Sequence, residues 1–285
     1  MLLTLILSTV LATVVFPHQE SRMEDWEQDP NQLVSEVIAN EINAAENDHS
    51  VWCFKQVQHQ GQKVEEREYV ETPSGSIYRV LARNGRPLNP EEAAKEDARI
   101  QRLIEHPEEL QKLTRQEKKD TQQAQDLLKM LPQAFQFRYA GRRNNLIKLD
   151  FTPRPSFRPE KRTGQVFRHM VGSFYVDASQ KRLAEIEGCL VSEVKFGGGI
   201  LGYLEKGGTF VVNQSDIGDG IWQMTRLNVN MSGKALFFKT IDVRENQQDS
   251  DFKPLQRNMT LRQAAEILRK SASPQARTSP SSSPR

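Results

Sequence analysis

The sequence predicts an α+β domain built on a strongly curved antiparallel β-sheet, a half-barrel with covering helices and an inserted charged helical hairpin. Three observations predict it. Short β-rich runs separated by turn residues recur from Val51 to Pro254, and two stretches opened by Asp-Pro or Asn-Pro carry helical spacing instead. The run KRLAEIEGCLVSEVKF places Ala184, Ile186, Leu190, Val194 and Phe196 on one face and Glu185, Glu187, Glu193 and Lys195 on the other, the mark of a strand with one buried and one wet side. At 285 residues and 37% hydrophobic composition the chain can bury a sizeable core, and the reading is a single domain over 23–270.

The first sixteen residues, MLLTLILSTVLATVVF, carry no charge and give way at Pro17 to a strongly polar segment. That is the shape of a signal-peptide apolar region, too short for a transmembrane helix, which needs about 20 apolar residues. Residues 1–22 are read as a signal peptide or N-terminal anchor, with the mature chain starting between Pro17 and Met23 and exported to the periplasm. Asp29-Pro30 then supplies helix-start chemistry, followed at helical spacing by Val34, Val37, Ile38, Ile42 and Ala45. VWCFKQVQ, VEEREYVE and SIYRVLAR form a meander through HQGQK and TPSG. Asn89-Pro90-Glu91-Glu92 repeats the helix signal and opens the insertion at 90–132, whose thin apolar stripe leaves most of its surface wet.

The β pattern resumes with AFQFRYA and NLIKLDF and stops at PRPSFRPEKRTG, where three prolines forbid a regular strand. QVFRHMVGSFYVD then reads as a strand turning at Ala178-Ser179-Gln180 into the alternating run described above. GGGILGYLEKGG reads as glycine-rich hairpin connections before the strand TFVVNQSDI. Beyond it, Trp222 and Met224 share one parity and Leu227, Val229 and Met231 the other, which a bulge near Thr225-Arg226 reconciles. Ser232-Gly233 reads as the turn into a strand at 234–243. Thr260 caps a final helix, and the Ser/Pro-rich tail at 271–285 is expected to be disordered.

This order, together with FYVDASQKRLAEIEG, a Gly-x-Trp strand leading to Lys234-Ala-Leu-Phe-Phe-Lys and the closing Phe252-Lys253-Pro254, resembles the outer-membrane lipoprotein-sorting family of half-barrel carriers over residues 31–270. The resemblance implies an apolar cavity on the concave face, with the helices at 31–46 and 260–270 as its lids. The charged insertion and the proline-rich loop depart from the family pattern.

Catalytic chemistry finds no support in the residues. The five histidines are scattered without metal-ligand spacing, no Cys-x-x-Cys exists, and neither a nucleophile elbow nor a phosphate loop is present. No enzyme activity, cofactor or metal is expected. Cys53 and Cys189 are compatible with a disulfide or with two small buried side chains. A formal charge of +2 does not suit a nucleic-acid binder. Locally, however, residues 19–48 hold nine acids and one arginine, a balance of −8, while 138–168 hold nine Lys/Arg and two acids, a balance of +7. The bland reading is two solvated faces. The sharper one is a docking face of Arg154, Arg158, Lys161, Arg162 and Arg168, interleaved with Phe151, Phe157 and Phe167, for an anionic membrane surface or an acidic envelope partner.

The candidate cavity lining is aromatic: Trp52, Phe54, Tyr69, Tyr78, Phe174, Trp222 and Phe237, each of which is equally a residue that any sheet core uses. The functional expectation is a periplasmic, non-enzymatic carrier or sensor in outer-membrane biogenesis that binds a lipid or acylated protein in a half-barrel cavity of several hundred Å³. The alternative is an envelope scaffold that uses the same fold with a filled core.

Overall fold

The computed structural model describes residues 28–235 and 239–271. The apolar leader, Phe237 and the tail beyond 271 lie outside the described residues.

Helix α1 (Pro30–Asn47) begins as its sequence dictates, with the Asp29 carboxylate accepting from the amides of Asn31 and Gln32 and Pro30 in the first turn. Its apolar stripe Leu33, Val34, Val37 and Ile38 is buried. The meander follows as β1 (Trp52–Gln60), β2 (Lys63–Val70), β3 (Ile77–Arg83) and the two-residue β4 (Arg86–Pro87). Helix α2 (Pro90–Glu105) opens with a full capping box between Asn89 and Glu92, and α3 runs from Pro107 to Ala134. Strands β5 (Phe135–Arg143), β6 (Leu146–Pro153), β7 (Met170–Asp177) and β8 (Arg182–Leu190) form a second meander. The short pair β9 (Val194–Phe196) and β10 (Gly202–Leu204) precedes β11 (Thr209–Asp216), β12 (Trp222–Ala235), β13 (Lys239–Pro254) and α4 (Leu261–Ser271).

All these strands join one antiparallel sheet in the order β4-β3-β2-β1-β13-β12-β11-β8-β7-β6-β5, with β9 and β10 attached beside β12. The sheet does not close, because β4 and β5 end the order without pairing to each other. It is the half-barrel expected from the sequence. The two meanders sit at opposite ends, and the last strand β13 returns to pair with β1.

Directly opposed residues of antiparallel strands share a face, so the register defines the two surfaces. One row runs Tyr139, Leu149, Phe174, Ile186, Val212, Leu227, Gln247, Gln58, Glu65, Arg83 across ten strands. This face carries α1, and we call it the inner face. Its residues on β5 to β8, with Phe135, Phe137, Phe151 and Leu190, pack with α1 and the end of α3 into one core. The opposite face at the other end holds a second, separate core in which Cys53, Val70 and Ile77 meet α2, the start of α3, and α4.

Several readings need correction. Ser232-Gly233 is not a turn: β12 continues to Ala235, and these two residues pair with Asp242 and Ile241 inside the ladder. Gly233 is there because β10 presses against it, and a Cβ at this position would lie 2.1 Å from the Tyr203 carbonyl oxygen. Residues 165–169 belong to a short 3₁₀ segment, Arg162–His169, and the strand starts only at Met170. The insertion forms two helices that meet at His106-Pro107 and take up different positions against the sheet. Helix α2 lies along the β3 edge, where the Glu96 carboxylate accepts the Val80 amide that no neighbouring strand takes. Helix α3 instead links the two cores. Finally, α4 does not cover the inner face with α1, since it packs on Cys53, Val70 and Ile77, which alternate with the inner-face residues. The expected bulge is present, with Asn213 opposite Arg226 and Gln214 opposite Met224, so that Thr225 is left over.

Candidate functional site

The inner face changes character along the register row. From β5 to β8 it is sealed beneath α1, and Phe174 is fully buried there. On β11 and β12, Phe210, Val212, Leu227, Val229 and Met231 continue the same apolar surface, yet all five remain partly exposed. At β13 and β1 the row turns polar, with Glu245, Gln247, Gln56 and Gln58.

Toward the β2–β3 turn the same face becomes aromatic. Phe54 stacks on Tyr69 with centroids 5.1 Å apart and on Phe252 at 5.2 Å, and Tyr69 in turn packs on Tyr78 at 5.1 Å. Trp52 stands edge-on to Phe252, its indole N–H donating to Ser50. These rings stack on one another across four strands, so much of their faces is already spent on each other. Arg67 and Arg99 lie over the Tyr78 ring at 4.9 and 4.3 Å and end the row with positive charge. Thus Trp52, Phe54, Tyr69 and Tyr78 are brought together. Phe174 and Trp222 share their face at a distance, Trp222 being tied to Gln180 through its indole N–H and covered by the Arg182 guanidinium. Phe252, the ring that joins β13 to the row, was signalled only as part of the closing Phe-x-Pro.

Carboxylates flank this surface. Glu65, buried on the inner face, is held by Lys63, Arg67 and Arg83, and these bonds outweigh its burial and bring its carboxyl down to about 2. Glu71 has the opposite fate: burial, reinforced by the charges of Asp48 and Glu117 and opposed by the Trp52 amide it accepts, pushes it up to about 7. Asp249, beside Gln56 and Gln247, is also raised by burial and has one oxygen without a hydrogen-bond partner. Cys53 is a free thiol pushed up to about 11, chiefly by burial, and Cys189 is free as well.

The basic segment is divided. Phe151, Phe157 and Phe167 are buried in the inner core, so they do not interleave with the cations on the surface. Arg158, Lys161, Arg162 and Arg168 are exposed, and Arg154 is half-buried against the end of α3. A pocket of about 540 Å³ opens between this segment and α3, and a groove of about 640 Å³ lies between α1 and α3 along Ile38, Ile42 and Pro132. Neither is walled by the aromatic row. Among the described residues no cluster of potential metal ligands occurs and no helix is long and apolar enough to cross a membrane.

Neither protein-family models nor curated protein sequences match this chain. Among solved structures, a DUF1329 family protein from Desulfovibrio piger is similar at a TM-score of 0.28 and 9% identity, over 80% of this chain and 94% of that one.

Proposed function

We propose that this protein is a non-enzymatic carrier or sensor of the bacterial envelope, acting in the periplasm, that holds the acyl chain of a lipid or acylated protein against the uncovered half of its inner face. The observation that carries this reading is the strip Phe210, Val212, Leu227 and Val229: it continues a sealed core, stays only partly buried and, among the described residues, has no helix above it. A sheet that needed this surface only for stability would cover it, as α1 covers β5 to β8. The glutamine and carboxylate groups of β13 and β1 that border the strip suit the polar end of an amphipathic ligand, and the aromatic row lies beyond them. Burying six methylenes there is worth about 5 kcal/mol at about 0.8 kcal/mol each, which favours reversible exchange over permanent capture. Native mass spectrometry of the mature chain purified from the envelope, with displacement of a fluorescent fatty acid by extracted lipids, tests it. The filled core under α1 favours the second reading, an envelope scaffold. Absence of co-purifying lipid together with absence of probe binding would select it.

A further inference from the structure

We propose that the pocket between the end of α3 and the proline-rich loop is a binding site for a phosphate ester, separate from the inner face and independent of what that face holds. Its wall combines Lys129 of α3 with Arg154, Arg158 and Lys161 of the loop, against two carboxylates, Asp126 and Glu160. Four cations less two anions leaves a surplus of +2, which matches a dianion. Lys161 is already engaged by Asp126 at 2.5 Å. The two arginines are not. Arg154 donates from Nη2 to the Phe135 carbonyl at 3.1 Å, and its Nε–H is buried without any partner. Arg158 donates only to the carbonyls of Pro155 and Phe157, at 2.9 and 3.0 Å. Neither guanidinium meets a carboxylate among the described residues.

A bland account exists for part of this arrangement, because cations near the last turn of α3 answer its exposed carbonyls. It accounts for the Nη2 bond of Arg154. It does not account for Arg158, an exposed guanidinium that lines the pocket and reaches only carbonyls of its own loop. Two guanidinium groups that line one pocket, neither of them spent on a carboxylate, offer the planar forks that recognise phosphate oxygens in pairs. The loop is also held firmly enough to serve as a wall: a Cβ at Gly164 would lie 2.9 Å from Pro159 and 3.2 Å from the Met130 sulfur. Met130 and Phe157 give the pocket an apolar side. At about 540 Å³ it has room for an ester's organic part as well as the phosphate.

The ester can be a soluble phosphomonoester or the headgroup of an anionic phospholipid, and two measurements on the full mature chain separate these. Titration calorimetry with glycerol 3-phosphate reads the soluble source. Co-sedimentation with phosphatidylglycerol vesicles, against pure phosphatidylcholine, reads the headgroup. Arg158→Gln changes an exposed side chain and preserves the fold, and it should weaken whichever binding occurs at least tenfold at fixed salt. Arg154→Gln should weaken it at least as much, and Arg154→Lys should fail to restore it, because an ammonium lacks the fork. Arg257→Gln, a cation remote from the pocket, should change nothing. Wild-type protein that binds neither the ester nor the anionic vesicles overturns the proposal. So does Arg158→Gln protein that binds like the wild type.

Discussion

Glu41 offers a direct test of how the inner core is locked. It sits on the buried stripe of α1 with its side chain 7% exposed, and its carboxylate accepts Arg182 Nε at 2.7 Å and Nη2 at 3.1 Å. It also accepts the Leu183 amide at 2.9 Å and the Gln214 side-chain amide at 3.3 Å. One carboxylate therefore ties α1 to β8 and β11 at the border between the sealed and the open parts of the face. Glu41→Ala leaves Arg182, itself 12% exposed, charged and without its carboxylate, together with an unmet backbone amide. Breaking a buried pair from one side costs about 3–5 kcal/mol. In a domain of this size that corresponds to a fall in Tm of about 6–20 °C at about 2–4 °C per kcal/mol. Urea unfolding followed by tryptophan fluorescence measures the loss. A double-mutant cycle with Arg182→Met isolates the coupling, because removing both charges should recover most of the deficit. Hydrogen exchange should show faster opening of α1, since the variant removes its polar tie to β8 and β11. A Glu41→Ala loss under about 1 kcal/mol, or a double variant no more stable than the sum of the singles, would refute the argument.

Glu71 predicts a pH dependence of definite sign. Its folded value of about 7 lies above the ordinary 4.5, so the folded state binds the extra proton; stability is fullest below about 4.5 and falls as pH rises toward 7. Glu71→Gln keeps an acceptor for the Trp52 amide and should flatten that slope in unfolding curves taken from pH 4 to 8; an unchanged slope would place its origin elsewhere. Gly233→Ala should destabilise by about 2 kcal/mol or more, read in urea, because the added methyl meets the Tyr203 carbonyl 2.1 Å away. Leu227→Gln should cost under about 1.5 kcal/mol in stability, the side chain being only half-buried, yet lower fatty-acid probe affinity about tenfold. Equal probe affinity in wild type and variant would remove Leu227 from the binding surface.

The parts of the fold legible in the sequence are those fixed by local chemistry. Asp29-Pro30 and Asn89-Pro90 started helices because cap and proline act within one turn, and the parity switch around Thr225 exposed a bulge because alternation is a property of one strand. Misreadings arose where a residue answers to something distant. Gly233 looked like a turn, since nothing local distinguishes a hairpin glycine from one that admits a neighbouring backbone. The face covered by α4 was equally hidden: Cys53 and Phe54 are both apolar, and only the register with β2 assigns them to opposite sides. The same limit applies to the candidate site. Trp52, Phe54, Tyr69 and Tyr78 could be named as aromatic, but their assembly with Phe252 depends on β13 returning to β1 across nearly the whole chain. Phe151, Phe157 and Phe167 were placed on a surface by their sequence neighbours and belong to the core by their spatial ones.

Helix α3 connects the two cores. Leu110 lies in the core on one face of the sheet and Leu131 in the core on the other, so the helix must pass from one side to the other around the β2–β3 turn. Thr114 marks the crossing by donating to the Ser74 carbonyl in that turn. Between Leu110 and Leu127, about 25 Å of helix at 1.5 Å per residue, no residue is buried. An apolar stripe there would find nothing to cover. The sequence instead carries polar i,i+4 pairs, Gln116 with Asp120 and Gln122 with Asp126, which support a stretch of helix that buries no side chain. The charge of the insertion, which departs from the simple half-barrel pattern, is thus the physical requirement of a strut that joins two cores through solvent. Asn31 of α1 receives the strut, its side-chain amide donating to the carbonyls of Pro132 and Phe135. Because α3 is anchored on the inner side only at that end, the strip on β11 and β12 has no helical cover among the described residues, and the uncovered surface follows from where this part of the chain can and cannot bury a helix.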